Sequence, residues 1–154
     1  MSSFDPAGAL NGIVSVLEKV GSIDAGVTTG QGQNPPAQGV SATVWAGPIR
    51  TQPKRSGLNV VSIALEVNVR LTTPISQPPD AFEVTILRAF GDVCNALAAG
   101  FTLGGLVEQV DLLGAYSGGG LKGDPGYVQF NGVNYRCITA VVPVVLDDVW
   151  SDAP

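Results

Sequence analysis

Apolar residues along this chain recur with two different periods, and the changes of period mark out its elements. Asp5-Pro6 is placed as an N-cap followed by proline at the first helical position. Leu10, Ile13, Val14, Leu17 and Val20 then fall at helical spacing on one face, and Gly21 stands where such a helix would end. From Ser22 to Gly39 the residues are mostly Gly, Thr, Gln, Asn and Pro. Asn34-Pro35-Pro36 forbids a regular element there, so a long exposed loop is expected over residues 22–39.

The period then changes to two. Val40, Ala42, Val44 and Ala46 alternate along a first strand that reaches Ile49. Val61, Ile63, Leu65, Val67, Val69 and Leu71 line one face of a second strand, and Ser62, Ala64, Glu66, Asn68 and Arg70 line the other. A strict alternation of that length fixes the register, because a slip of one residue would expose the whole apolar row. Thr73-Pro74 and Pro78-Pro79 close the strand, and Asp80 opens a second helix running to about Ala99. Its buried face is read as Phe82, Ile86, Ala89, Phe90, Val93 and Leu97.

A short strand is expected over Leu106–Leu113. The stretches 117–120 and 123–126, rich in glycine, read as turns. Asn131-Gly132 stands between two alternating apolar runs, which is the pattern of a two-residue type I′ hairpin. The last strand runs on from Val133. Val141 to Leu146 is apolar on both faces, as in a strand that is central or covered by a neighbouring subunit. Pro143 has no N–H to give, so a bulge or an edge is expected there. The predicted fold is α+β, in the order α-β-β-α-β-β-β. It is one mainly antiparallel or mixed sheet with both helices on one face, forming a single domain over residues 1–154.

Composition narrows what such a fold does. Of the 154 residues, 45% are apolar and only 14% charged. That balance excludes disorder and leaves few charges to coat an isolated surface. The net charge of −5 argues against a general nucleic-acid binder, which needs a basic face. There is no histidine, so a Ser-His-Asp triad, a Cys-His pair and His-ligated zinc are all excluded. Cys94 and Cys137 are expected to be reduced core residues. The first residues lack a signal peptide's basic start and apolar run, and no stretch approaches the ~20 apolar residues of a membrane span. The chain is therefore expected to be cytosolic when made.

The candidate chemistry is thin. Lys122 after Gly118-Gly119-Gly120 lacks the spacing and following helix of a phosphate-binding loop. Asp147-Asp148 is an acidic pair with nothing shown to converge on it. Glu108 and Asp111 would point to opposite faces of a strand, which disfavours joint acid–base work. Catalytic residues, metal ligands and cofactors are accordingly expected to be none. Arg50, Lys54 and Arg55 supply three of the eight basic residues at one hairpin tip, and this cluster is the candidate partner contact. Val144 and Leu146, in the apolar strand, and the isolated Trp150 are the candidate subunit-interface residues.

Ser62–Leu71, Asp80–Leu97 and Tyr127–Trp150, taken in this order and texture, resemble the tail terminator proteins of long-tailed phages, particularly those of actinobacteria. The resemblance implies a virion protein at the head-proximal end of the tail, assembled in the host cytoplasm. It implies a ring, a hexamer in that family, which binds the last ring of tail-tube protein and stops polymerisation. The opposite side of the ring docks the head–tail connector or stopper, and DNA passes through the hole without sequence-specific binding. A tail-tube subunit or a head–tail stopper is the alternative within the same virion. Two strong helices count against a tube subunit, which is dominated by β-sandwich. A small ligand-binding or regulatory domain is the alternative from another class, and it would need a concave apolar pocket with convergent polar groups.

Overall fold

A computed structural model describes residues 5–30, 39–51, 60–75, 79–100, 109–110 and 120–151. Helix α1 spans Pro6–Glu18, with Pro6 in the first turn and the Asp5 carboxylate accepting the Gly8 N–H at 2.9 Å. That cap satisfies one of the donors a helix start leaves without an internal partner. The helix stops before Gly21, because the Lys19 and Val20 amides already turn back to the carbonyls of Val16 and Leu17. Ala9, Ile13 and Leu17 form its dry stripe, flanked by the partly buried Leu10 and Val14.

Strand β1, Val27–Thr29, lies inside the stretch expected to be an exposed loop. It runs parallel to β2, Ser41–Thr51, with Val27 opposite Ala42 and Thr29 opposite Val44. The turns on either side are made by Gly26, Gly30 and Gly39 at positive φ. The Asp24 carboxylate accepts the Val40 N–H at 2.8 Å, and Ile23 is buried. Buried Ile23, the Asx contact of Asp24 and the ladder to β2 together order a segment that periodicity could not read. Residues 31–38, including Asn34-Pro35-Pro36, lie outside the described residues.

β2 pairs antiparallel with β3, Val60–Pro74, and β3 pairs antiparallel with β6, Val133–Ser151. The other edge of β6 is shared. β5, Lys122–Phe130, pairs with its first half, and β4, Gln109–Val110, pairs with Val144 and Val145. The sheet is therefore six-stranded and mixed, in the order β1-β2-β3-β6-β4, with β5 beside β4 on β6. Strand β4 covers two residues of the expected Leu106–Leu113, and the rest of that span is outside the described residues.

Helix α2, Pro79–Ala99, packs with α1 on one face of this sheet. Phe82, Ile86, Ala89, Val93 and Leu97 are its buried positions, with Phe90 partly buried beside them. They meet Ala42, Val44, Ile63, Leu65, Val67, Val69 and Leu71, continued across β6 by Ile138, Ala140, Val142, Val144 and Leu146. Burying each of the larger of these side chains contributes about 1.5–3 kcal/mol, so this single face supplies most of the driving force. Ser22 donates its hydroxyl to Asp92 and so ties the turn after α1 to α2.

Two irregularities shape the ladders. Between Ala46 and Ile49, β2 gains a residue over β3 at Gly47-Pro48. A Cβ at Gly47 would stand 2.8 Å from the Asn68 amide nitrogen and 3.1 Å from the Glu66 carbonyl, so the bulge requires glycine. The bulge expected at Pro143 is not there. Pro143 keeps its register with Glu66, and the irregularity of β6 lies farther on, between the pairs Ile63↔Leu146 and Val61↔Trp150. Proline is tolerated because it falls between Val141, the last partner of β5, and Val144, where β4 begins. At the hairpin, Asn131 and Gly132 both have positive φ (51° and 78°), as a type I′ turn demands.

Leu65→Ala is expected to lower unfolding free energy by about 2–5 kcal/mol, as for other fully buried leucines. Gly132→Ala is expected to cost about 1–2 kcal/mol from backbone strain alone, since nothing lies within 4 Å of its new methyl. Urea unfolding of both variants, with unchanged slope, checks these values.

Candidate interaction surfaces

Of the residues proposed from sequence as contacts, Arg50 is placed on the face of the sheet opposite the helices. Its guanidinium lies 3.2 Å from the Glu66 carboxylate, a diagonal cross-strand pair with both side chains partly exposed. Such a pair contributes a fraction of a kcal/mol, but it fixes where the charge points. Lys54 and Arg55 lie outside the described residues. Val144 and Leu146 are buried in the chain's own core under the helices, at 0% and 6% exposure. Their apolar character is consumed within the subunit, which corrects their reading as interface residues. Trp150 pairs through its backbone with Val61, and its side chain is outside the described residues. So are the side chains of Asp147 and Asp148, and all of Glu108 and Asp111. Lys122 begins β5, opposite Val141, and stands 3.8 Å from Asp124; a strand follows it, not the helix of a phosphate loop.

The face opposite the helices is mixed in character. At its middle, Arg70 lies over the Trp45 ring at 5.1 Å and donates to the Thr139 hydroxyl at 3.2 Å. A cation held over an indole and anchored by a hydroxyl gives a stiff platform. Asn68 and Val141 extend it across the sheet, half-buried. Toward one end Ser41, Thr72 and Cys137 are buried in one cross-strand row, the two hydroxyls bonded to each other at 2.7 Å. Toward the other end Ala64, Pro143 and Val145 are buried. The platform is thus framed by two dry patches.

A second cluster forms where α2 meets the β5–β6 hairpin. Arg136 donates through Nε and Nη2 to both oxygens of Glu83, at 2.8 and 3.1 Å, and through Nη1 to the Gly126 carbonyl at 3.2 Å. Its guanidinium sits 4.6 Å from the centre of the Tyr127 ring. The hydrogen bond to Glu83, ahead of the cost of burial, raises the guanidinium pKa further above its ordinary value. Two turns along α2, Phe90 lies against Gly123, where any Cβ would collide with the ring. Val84, Leu87 and Tyr127 are left about half or more exposed beside this clamp.

Sequence reasoning did not find this clamp, although part of it was legible. A two-residue turn at Asn131-Gly132 places Tyr127 opposite Arg136 by counting outward, and the structure has that pair. Nothing in the sequence indicated that Glu83 would lie above them, because that depends on how α2 crosses the sheet. Among the described residues there is no group of three or more His, Cys, Asp or Glu side chains able to hold a metal ion. No described helix is long and apolar enough to cross a membrane. Comparison with protein-family models finds no match to this chain, and no curated protein matches it.

Both cysteines are free thiols, Cys137 buried and Cys94 half-buried. Burial is the main cause that raises both pKa values, which keeps them protonated and unreactive at neutral pH. The folded values lie above the unfolded ones, so the stability this gives is full below the ordinary thiol range and declines as pH rises through it. At neutral pH a thiol reagent is expected to label Cys94 more slowly than a free thiol, and Cys137 only as fast as the chain opens. Denaturant should bring both to the same fast rate.

Proposed function

We propose that this chain is a structural subunit of a phage-type tail that assembles into a ring, caps the tail tube and presents a docking surface to the head-completion proteins. The observation that carries the reading is a sheet with both helices on one face and a half-exposed platform, Trp45-Arg70-Thr139, on the other. In a chain with so few charges, such a face fits contact with other proteins better than contact with water alone. The element order of helix, hairpin, helix and terminal hairpin, on which the resemblance to tail terminators rests, is the observed one. The chain is read as non-enzymatic because its sequence has no histidine and its motifs assemble no catalytic constellation. The partners proposed are further copies of the chain, the tail-tube protein and a head–tail connector, with DNA passing through the hole.

Within this reading the basic tip at Arg50, Lys54 and Arg55 contacts the tube or the connector. Because Arg50 is held by Glu66, reversing its charge would also set two carboxylates against each other. The informative comparison is therefore K54E/R55E beside R50E/K54E/R55E. Both are expected to fold, to form rings, and to lose most head–tail joining in a complementation assay. Normal joining by the double variant would remove the tip from the contact. The ring itself is tested by native mass spectrometry and negative-stain imaging, with and without tail-tube protein. A closed ring, alone or on tube ends, is the expected result. Self-assembled long tubes would assign the chain to the tube, and a monomer indifferent to tubes would overturn the proposal.

A further inference from the structure

The two ends of the sheet have complementary edges. At one end, the Gly26 carbonyl accepts from Ala42 and the Gly30 N–H donates to Val44. Alternation along the strand then turns the backbone groups of Val27 and Thr29 away from β2. At the other end, β5 pairs with β6 and has no second partner among the described residues. Exposed edges are usually blunted by charge or proline. The first half of β5 has such guards in Lys122, Asp124 and Pro125, whereas Tyr127-Val128-Gln129-Phe130 has none. Val27-Thr28-Thr29 is equally unguarded and nearly the same length.

Strand direction makes the two edges compatible. β1 runs parallel to β2, and each following pair through β3 and β6 to β5 is antiparallel, so β5 runs opposite to β1. A second copy placed beside the first, helices on the same side, therefore brings its β1 antiparallel to β5. The geometry points to this contact: β1 of one copy adds to the Tyr127–Phe130 half of β5 of the next, with Thr29 opposite Tyr127 and Val27 opposite Gln129. All four positions are on the helix side of the sheet, and Thr29 against Tyr127 is a favourable β-branched–aromatic pair.

The unguarded half also sets a stagger. Through successive pairs, Val27 is level with Pro125 and Thr29 with Gly123. Moving the neighbour to Gln129 and Tyr127 shifts it four residues along the strand, about 13 Å, across five strands spanning about 24 Å. That slope, roughly 30°, is near the ~35–45° strand tilt by which sheets close on themselves. A head-to-tail contact of this kind closes into a ring when its rotation permits, so the inference rests on the ring reading and gives it an interface.

The test is the double variant V27C/Q129C of the full chain, oxidised in solution, with each single variant as control. Directly opposite Cα atoms in an antiparallel pair stand about 4.5–5.5 Å apart, within reach of a disulfide. The double variant is expected to give a reducible ladder of multimers ending in one closed species of the ring's mass, while each single variant stays largely monomeric on a non-reducing gel. A ring by native mass spectrometry with no cross-link would overturn the edge contact and leave the ring reading intact. An open ladder without a closing species would support the edge contact and overturn the ring. Neither ring nor cross-link would overturn both.

Discussion

The structure depends on one-sided burial along β3. Ile63, Leu65, Val67, Val69 and Leu71 must all face the helices, and a slip of one residue would turn the whole row to the other face. The same row sets its neighbours. Val69 lies between Val44 on one side and Ala140 on the other, and Leu65 lies opposite Val144. Once the row is dry, the opposite parity of each strand is fixed as well. Arg70 comes beside Trp45 and Thr139, and Glu66 comes within reach of Arg50. The outer face is thus a consequence of the inner one.

β6 carries a different constraint, because it has two partners on one edge. β5 occupies it up to Val141 and β4 takes over at Val144. The change of partner is what permits Pro143 in a strand with sheet on both sides. It also explains why residues 141–146 are apolar at every position: even-numbered residues fill the helix-side core, while Pro143 and Val145 are buried on the reverse. Of the two explanations that sequence offers for an all-apolar strand, a central position and a subunit contact, the first accounts for Val144 and Leu146 completely.

What was legible in the sequence was whatever periodicity enforces. Both helices, the long β3 strand and the Asn131-Gly132 hairpin follow from spacing that a wrong assignment would expose to water. What was not legible depends on contacts between elements. β1 is three residues of Val-Thr-Thr, too short for any period, and it is ordered by Asp24, Ile23 and its neighbour β2. The Gly123-Asp124-Pro125-Gly126 stretch reads as a turn by composition and is the first half of β5. Gly123 is there for close approach, beneath Phe90, whereas a Cβ at Gly126 would make only ordinary contact with the Cys137 sulfur. Glycine in a sequence signals either a turn or tight packing, and only the tertiary fold decides between them. The candidate surfaces divide the same way. The basic tip was visible as composition, whereas the Glu83–Arg136–Tyr127 clamp needed the crossing of α2 over the hairpin.

The placement of the basic residues bears on the proposed ring. Arg50 is paired with Glu66, Arg136 with Glu83 and Lys122 with Asp124, while Arg70 is drawn onto Trp45 and Thr139. Four of the eight basic side chains are therefore engaged locally, on a chain that carries 13 acidic ones. Positive charge that is already paired offers little attraction to a passing polyanion, and the surplus of carboxylates repels it. A channel wall with those properties would let DNA slide through without adsorbing, because adsorption to phosphates requires unpaired cations along the path. Contact with protein partners has the opposite requirement, for apolar and hydrogen-bonding surface with charge at the rim. The Trp45–Arg70 platform and the exposed Val84, Leu87 and Tyr127 offer that kind of surface. In the proposed ring, three cations paired within the subunit and a surplus of carboxylates together favour proteins held at its faces and DNA left free in its hole.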